Sequence, residues 1–248
     1  MDIFFKNKKI LITGASGSLG SQLAEDFSKY NVKLFLQGRS LSKLKKIKIK
    51  NKNSHKLISL DFNQENSINK LEEFFKKNFY PDIVIHCLGG SFGVNETFSS
   101  KEDWLKVWNM NLGYSHEINN LVIPKMIKKK IGRIIHISSI ATTFLKGNAP
   151  YISAKYALEG YVKSVSKEIS KKNVIMLCVS PGIIDIKNRY FNKLKKQNKK
   201  KYFEFMKAHI PINRMANIKE ISNLILILSS NYSSYMPGSI IKIDGQGN

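Results

Sequence analysis

Tyr151 and Lys155 stand four residues apart, a spacing that puts a phenol and an ammonium on one face of a helix. That pairing suits proton transfer. An ammonium near a phenol stabilises the phenolate and draws the tyrosine pKa towards the working pH, so the ring can give and take a proton. Ser138 and Ser139, at the end of an apolar run upstream, offer hydroxyls able to polarise or orient a carbonyl. A Tyr-x-x-x-Lys spacing is common by chance, and alone it signifies little. Its weight depends on what the rest of the chain holds.

Near the N-terminus, Lys9-Ile10-Leu11-Ile12-Thr13 runs directly into Gly14-Ala15-Ser16-Gly17-Ser18-Leu19-Gly20 and then into a helical pattern. A strand, a glycine turn and a helix start in that order predict a phosphate cradle. Gly14 permits the tight turn, Gly17 lets backbone approach a diphosphate, and Gly20 lets helix and strand pack closely. The diphosphate would rest on the free N–H groups and positive dipole end of the helix. About 20 residues after such a loop, a domain that binds NAD normally offers an acid to the ribose 2′-hydroxyl. Between Asn31 and Leu60 there is none, and Gly38-Arg39-Ser40 ends the second strand with Lys43 nearby. A guanidinium that grips phosphate bidentately, with no carboxylate to repel it, predicts the 2′-phosphate of NADP(H). Asp61, after the third strand, is expected either to accept a hydrogen bond from the adenine amino group or to cap the next helix.

The elements that must position these groups alternate along the chain. Short apolar runs at 9–13, 32–37, 56–60, 82–87, 133–138, 174–179 and 239–243 predict strands. Amphipathic stretches at 19–29, 67–78, 101–129, 151–171 and 218–228 predict helices. Strict β-α alternation predicts an α/β fold, a Rossmann-type doubly wound parallel sheet of about seven strands with helices on both faces. No internal repeat or Pro/Gly linker divides the chain, so residues 1–248 are expected to form one dinucleotide-binding domain. Segment 187–202 breaks the rhythm, with eight basic residues and no acidic one. It follows a strand end, where open α/β sheets carry ligand loops; the alternative is a solvated, mobile insert.

With 248 residues, 42% of them hydrophobic, the chain can bury a full core. No stretch approaches the apolar length that spans a bilayer, and no signal-peptide pattern opens the chain. Cys87 and Cys178 lie in apolar runs and are expected to be free thiols, which predicts a reducing, cytoplasmic setting. The net charge of +23 comes from 37 Lys against 4 Arg, amid abundant Asn and Ile. That composition matches codon bias in an AT-rich genome with solvated Lys faces; the functional alternative is attraction of anionic ligands or acidic carriers. No motif for nucleic acid accompanies the charge. His86, His116 and His136 match no metal-ligand spacing and are expected to pack. Trp104 and Trp108, an i, i+4 pair, are expected in the core or a subunit interface.

Taken together, these segments resemble a short-chain dehydrogenase/reductase of the classical type over essentially the whole chain. The resemblance is carried by 13–20, Asp61, 82–90, Asn111 within Trp108-Asn109-Met110-Asn111-Leu112, 132–139, 151–155, Ser180-Pro181-Gly182 and 238–245. It implies Tyr151 as general acid/base and Lys155 as the group that holds the nicotinamide ribose and lowers the tyrosine pKa. Ser139 would orient the carbonyl, and Asn111 would anchor a water in the proton relay. Ser139 is the last residue of a Gly-Arg-Ile-Ile-x-Ile-x-Ser run, while a following loop one residue short keeps Ser138 open. Cofactor contacts are implied at Gly14, Ser16, Gly17, Ser18, Leu19, Gly20, Arg39, Ser40, Asp61, Phe62, Leu88, Gly89, Gly90, Tyr151, Lys155, Pro181, Gly182 and Ile184, with no metal. A substrate lid is implied near 183–210.

The chain departs from the family pattern in three places. Its middle glycine is Gly17, with Ser at 18, and His86-Cys87-Leu88-Gly89 replaces the usual Asn-Asn-Ala-Gly. Both changes resemble the family's extended branch of sugar-nucleotide epimerases, but the length matches the classical one. Ile186 stands where a Thr often contacts the nicotinamide carboxamide.

The general pattern is most similar to 3-oxoacyl-[acyl-carrier-protein] reductases, which implies a ketone reduced to a secondary alcohol with NADP(H) favoured over NAD(H). In those enzymes basic residues before the fifth and sixth strands meet the acidic carrier; Lys128-Lys129-Lys130 and Lys171-Lys172 stand there. Two alternatives remain. One is a reductase of a nucleotide-linked or acidic sugar in surface-polysaccharide synthesis, and the other is a non-catalytic NADP(H)-sensing regulator. Expected partners are a small-molecule carbonyl or alcohol substrate, anionic or carrier-linked, and further copies of the chain in a homotetramer or homodimer. Nucleic acid and membrane are not expected.

Overall fold

Apolar residues run almost unbroken through the strands because both faces of the sheet are covered. The structure is a computed structural model and describes residues 2–50, 55–94, 96–145 and 148–247. Its strands are β1 (Lys8–Thr13), β2 (Val32–Gly38), β3 (His55–Ser59), β4 (Ile83–His86), β5 (Gly132–Ile137), β6 (Val174–Pro181) and β7 (Ile240–Ile243). They form one seven-stranded sheet in the order β3-β2-β1-β4-β5-β6-β7, and every pairing is parallel. Each strand lies within two residues of its sequence expectation. The order reverses between β1 and β4, the switch point at which open α/β sheets hold ligands beyond their carboxyl ends.

The helices are α1 (Asp2–Phe5), α2 (Ser18–Phe27), α3 (Leu41–Leu44), α4 (Ser67–Asn78), α5 (Lys101–Trp108), α6 (Tyr114–Lys129), α7 (Ala141–Phe144), α8 (Ala149–Ile169), α9 (Tyr190–Gln197), α10 (Lys199–His209) and α11 (Ile218–Leu228). Alternation along the strands divides the core in two. Ile10, Ile12, Leu34, Leu36, Ile83, Ile85, Ile135, Ile175 and Leu177 meet α2 and α11 on one face. Leu11, Phe35, Val84, Ile134, Met176 and Cys178 meet α4, α6 and α8 on the other. None of the described helices is long and apolar enough to cross a membrane.

Two stretches differ from expectation. The predicted helix 101–129 is α5 and α6 joined by a π-helical turn, Asn109–Gly113. Within that turn the Asn111 amide donates to the Val107 carbonyl at 2.8 Å and to Gly90 O at 2.9 Å. A side chain thus inserts into the helical ladder, which is how such turns arise. Segment 187–202 is no loop. After a turn at 187–189 it enters α9 and α10, whose Phe191, Leu194, Tyr202, Phe205 and Met206 pack on Ile140, Phe144, Ile183 and Met215. Apolar side chains at helical spacing turn a lysine-rich stretch into a cover anchored to the loops after β5 and β6.

Candidate active site

Beyond the carboxyl ends of β1, β2 and β4 lies a cleft of about 380 Å³. Gly14 turns the chain off β1 with φ +62°, and a Cβ there would stand 2.9 Å from Cys87 O. Gly20 lies where α2 crosses that turn, with a would-be Cβ 2.5 Å from Gly14 O, so only glycine permits this approach. The N-cap of α2 is Gly17, and no side chain caps the first turn. Its N–H groups therefore remain open to an anionic ligand. Asp26, on the same helix, is buried and meets Lys219 at 2.6 Å, Lys29 at 2.7 Å and Ser222 at 2.9 Å. Burial raises its pKa, but these partners outweigh it and hold the carboxyl below its ordinary range, pinning α2 to α11.

At the β2 side of the cleft, Arg39 and Lys43 are joined by Asp61 and Phe62 from beyond β3. Gln37, 1% exposed, receives the Gly14 N–H at 3.1 Å and donates to Leu60 O at 2.7 Å. One amide thus ties the glycine turn to the next two strand ends. Asp61 Oδ1 accepts from Asn63 N and Nδ2, both at 3.1 Å, so it caps a turn while also lining the cleft.

The reactive cluster stands on the other side of the switch point. Asn148 caps α8 by accepting the Tyr151 N–H at 2.8 Å, which starts the helix beside Ser139. The Tyr151 side chain is half-buried, with its hydroxyl towards Ser139. Burial pushes its pKa above the ordinary 10, and the Ser139 hydroxyl draws it partly back. Lys155 Nζ lies 5.7 Å from the centre of the Tyr151 ring and donates to Ile137 O at 2.7 Å. Burial pushes Lys155 down to about 8. The expected lowering of the tyrosine by Lys155 is therefore not the effect that dominates here, because desolvation penalises both charged forms. Ser138 turns the other way and donates to Glu159 Oε1 at 2.6 Å. Of the two serines, the one that faces Tyr151 is Ser139. Asn111 Oδ1 accepts Gly90 N at 3.0 Å, and a Cβ at Gly89 would lie 2.8 Å from Oδ1 and 3.1 Å from Lys155 Nζ. Asn111 and Lys155 thus converge behind the Gly89–Gly90 turn.

Gly14, Ser16, Gly17, Ser18, Arg39, Asp61, Phe62, Leu88 and Gly89 line the cleft, and the remaining predicted contacts do not. Leu19 packs on the core and Gly20 on the turn. Ser40 accepts the Lys43 N–H as the N-cap of α3, and both backbone groups of Gly90 are bonded to Asn111. Beside Pro181, Gly182 lines a separate cavity of about 100 Å³ with Arg214, Glu220 and Asp244, while Ile184 bridges to Ala216. Outside the Gly38–Lys43 stretch, five cleft residues were not among the predicted contacts: Gln37, Cys87, Phe92, Met110 and Arg189. A polar Gln closing an apolar strand was a legible signal for the first, but nothing local marks Phe92, Met110 or Arg189.

His86 and His136 are cross-strand neighbours stacked at 4.5 Å. Asn119 lies between them, accepting from His86 Nε2 at 2.9 Å and donating to His136 Nε2 at 3.1 Å. His116 is exposed and meets Tyr161 edge-on. Two of the lysines expected to meet an acidic carrier have acids of their own, Lys129 with Asp82 at 2.9 Å and Lys171 with Glu168 at 3.2 Å. On α5, Leu105 and Trp108 are exposed.

A family model described as enoyl-(acyl carrier protein) reductase matches residues 14–246. The 3-oxoacyl-[acyl-carrier-protein] reductase FabG of Buchnera aphidicola subsp. Baizongia pistaciae is 36% identical over 244 residues, covering 96% of each chain. Its namesake in Aquifex aeolicus is 31% identical over 251 residues, covering 99% of each. The L-sorbose reductase of Gluconobacter frateurii, solved with NADPH and L-sorbose, has a TM-score of 0.87 at 27% identity, covering 99% of this chain and 98% of that one. The chain therefore belongs to the short-chain dehydrogenase/reductase family, an oxidoreductase family that binds a nicotinamide cofactor and acts on CH–OH and C=O groups.

Proposed function

We propose that this protein is an NADP(H)-dependent carbonyl reductase similar to the 3-oxoacyl-carrier-protein reductases, with Ser139, Tyr151, Lys155 and Asn111 as its working set. The observation that carries this reading is the convergence of Tyr151, Ser139 and buried Lys155, across the switch point from the Arg39–Lys43 rim. The cleft fits a dinucleotide. Gly14 and Gly17 leave room for a diphosphate over the uncapped start of α2, and two cations flank the place for a 2′-phosphate.

A bound nicotinamide supplies the hydride. Ser139 orients the carbonyl oxygen towards the Tyr151 hydroxyl, which donates the proton as negative charge develops there. A phenol held above its ordinary pKa is an acid that keeps its proton until the carbonyl demands it. Lys155, with a pKa near 8, carries a proton at neutral pH and can return one to Tyr151. Asn111 supports the relay by fixing the Gly89–Gly90 turn against which Lys155 packs.

The segment 183–210 acts as the substrate lid of a single domain. Ile140, Phe144, Ile183 and Met215, beside Ser139, form an apolar wall that suits an acyl chain. The likeness to the L-sorbose reductase supports a polar sugar as the second reading. Exposed Leu105 and Trp108 on α5 support a homotetramer or homodimer, and two free cysteines fit a cytoplasmic setting.

Fluorescence titration of NADPH and NADH, on the wild type and on Arg39→Ala, tests the cofactor reading. The expected result is NADPH preferred by about tenfold or more, equal to about 1.4 kcal/mol, with the preference lost in Arg39→Ala. Equal or NADH-biased binding by the wild type would overturn it. A ketone screen with 3-oxoacyl thioesters and ketoses, controlled by Tyr151→Phe, then separates the two substrate readings.

A further inference from the structure

The chain uses arginine sparingly, 4 against 37 lysines. A guanidinium differs from an ammonium in its planar fork, which matches carboxylate or phosphate oxygens two at a time. Two of the four arginines are committed to the fold. Arg133 is buried and donates to Ser230 O, Gly132 O and Ser234 Oγ at 3.1, 2.9 and 2.9 Å. Arg214 grips both oxygens of Glu220 at 2.8 Å. The other two, Arg39 and Arg189, both line the cleft, and among the described residues neither guanidinium has a protein acceptor.

These two cations approach from opposite sides. Arg39 follows β2, and Arg189 follows β6 at the start of α9, with the glycine turn of β1 between them in the sheet order. The backbone around Arg189 is braced. Its own N–H donates to Ile186 O at 3.1 Å, and its carbonyl accepts Lys193 N at 2.9 Å. Asn192 donates to Asp185 at 2.7 Å and accepts the Asn188 N–H at 3.2 Å, so the acid nearest in sequence is already engaged. Cleft walls that gather unpaired guanidinium groups around an uncapped helix start suit a polyanion.

We propose that Arg189 is a cofactor-binding residue that reaches from the lid to the diphosphate of the dinucleotide, so that lid closure is coupled to cofactor binding. This rests on the dinucleotide reading above and adds to it a division of labour. Arg39 reads the 2′-phosphate that distinguishes the two cofactors, and Arg189 grips the diphosphate common to both. Because α9 and α10 pack on the apolar wall beside Ser139, the same contact completes the substrate side of the site only when cofactor is in place.

The test compares Arg189→Met and Arg189→Lys with the wild type and with Arg39→Ala. NADPH and NADH are titrated by fluorescence, and tryptic cleavage within the lysine-rich stretch 193–201 is followed with and without saturating NADPH. Arg189→Met should weaken both dinucleotides by the same factor, about tenfold, with Arg189→Lys between it and the wild type. NADPH should slow tryptic cleavage of the wild type but not of Arg189→Met. The exposed guanidinium has no partner among the described residues, so the melting temperature without cofactor should match the wild type. Unchanged binding of both dinucleotides by Arg189→Met would overturn the proposal and leave the cofactor reading intact. Weakening of NADPH alone would overturn the diphosphate assignment. A wild type that binds neither dinucleotide would sink the cofactor reading itself, and this proposal with it.

Discussion

Acidification should destabilise this protein through the stacked pair His86 and His136, well before most carboxylates titrate. With Asn119 in the observed orientation, His86 donates from Nε2 and His136 accepts at Nε2, so both rings are neutral. The Nδ1 atoms of both are buried without a hydrogen-bond partner among the described residues. A proton added to His86 would sit on a dry, unpaired Nδ1, and one added to His136 would fall on Nε2 against the Asn119 amide donor. Burial accordingly pushes His86 from 6.5 down to about 4, and His136 well below its ordinary value in the same direction. The unfolded chain takes up these protons near pH 6.5, whereas the folded chain resists until near pH 4. Stability from His86 is therefore full above pH 6.5, falls as pH drops towards 4, and loses nothing further below that. At about 1.4 kcal/mol per pKa unit, a displacement of roughly 2.5 units is worth about 3 kcal/mol. His136 adds to the loss, and two protons give a limiting slope of about 2.7 kcal/mol per pH unit. Urea unfolding at pH 7.5, 6.5, 5.5 and 4.5, in enough salt to screen the net charge of +23, measures that slope. The His86→Gln variant serves as control; it is less stable at every pH, but its slope between 6.5 and 4 should be shallower by one proton. Equal slopes in variant and wild type would refute the reasoning, meaning that the imidazole is hydrated or paired in the folded state.

Three further outcomes follow from the reactive cluster. Tyr151→Phe should lower kcat by roughly 10²–10⁴-fold in a ketone-reduction assay, while dinucleotide binding by fluorescence stays intact. Ser139→Ala should cost roughly 10²-fold in kcat. Ser138→Ala should instead cost about 1–2 kcal/mol in urea unfolding with kcat near the wild type, because its hydroxyl serves Glu159; the reverse pattern would reassign the serine. Lys155, at about 8, loses its proton as pH rises through that value. The logarithm of kcat/KM for reduction should thus be level below about pH 7 and fall above pH 8, and a profile level to pH 10 would remove Lys155 from proton resupply.

Much of the architecture was legible in the residues because one physical constraint repeats along the chain. Strands covered on both faces must be largely apolar, as 83–85 and 174–179 are, and they announce themselves without any tertiary information. Gly14, Gly17 and Gly20 were readable for a similar reason, since a close turn between strand and helix leaves no room for a Cβ. The spacing of Tyr151 and Lys155 depends only on the pitch of one helix. Other features depend on partners far away in sequence. The π-helical turn that sets Asn111 arises from its bonds to Val107 and to Gly90, 21 residues away. The sequence run favours Ser139 and keeps Ser138 open; only the fold brings Glu159 of α8 to the Ser138 hydroxyl and engages it. The helical form of 190–202 was hidden under its lysines, because its apolar stripe gains meaning only against Ile140, Phe144 and Ile183. Arg189 reached the cleft only once α9 was laid across the sheet. By itself the sequence determined which groups are candidates for chemistry and which elements carry them, since propensity, alternation and steric need act locally. Tertiary structure alone decided which way each of those groups faces, because orientation is set by contacts between elements that only folding brings together.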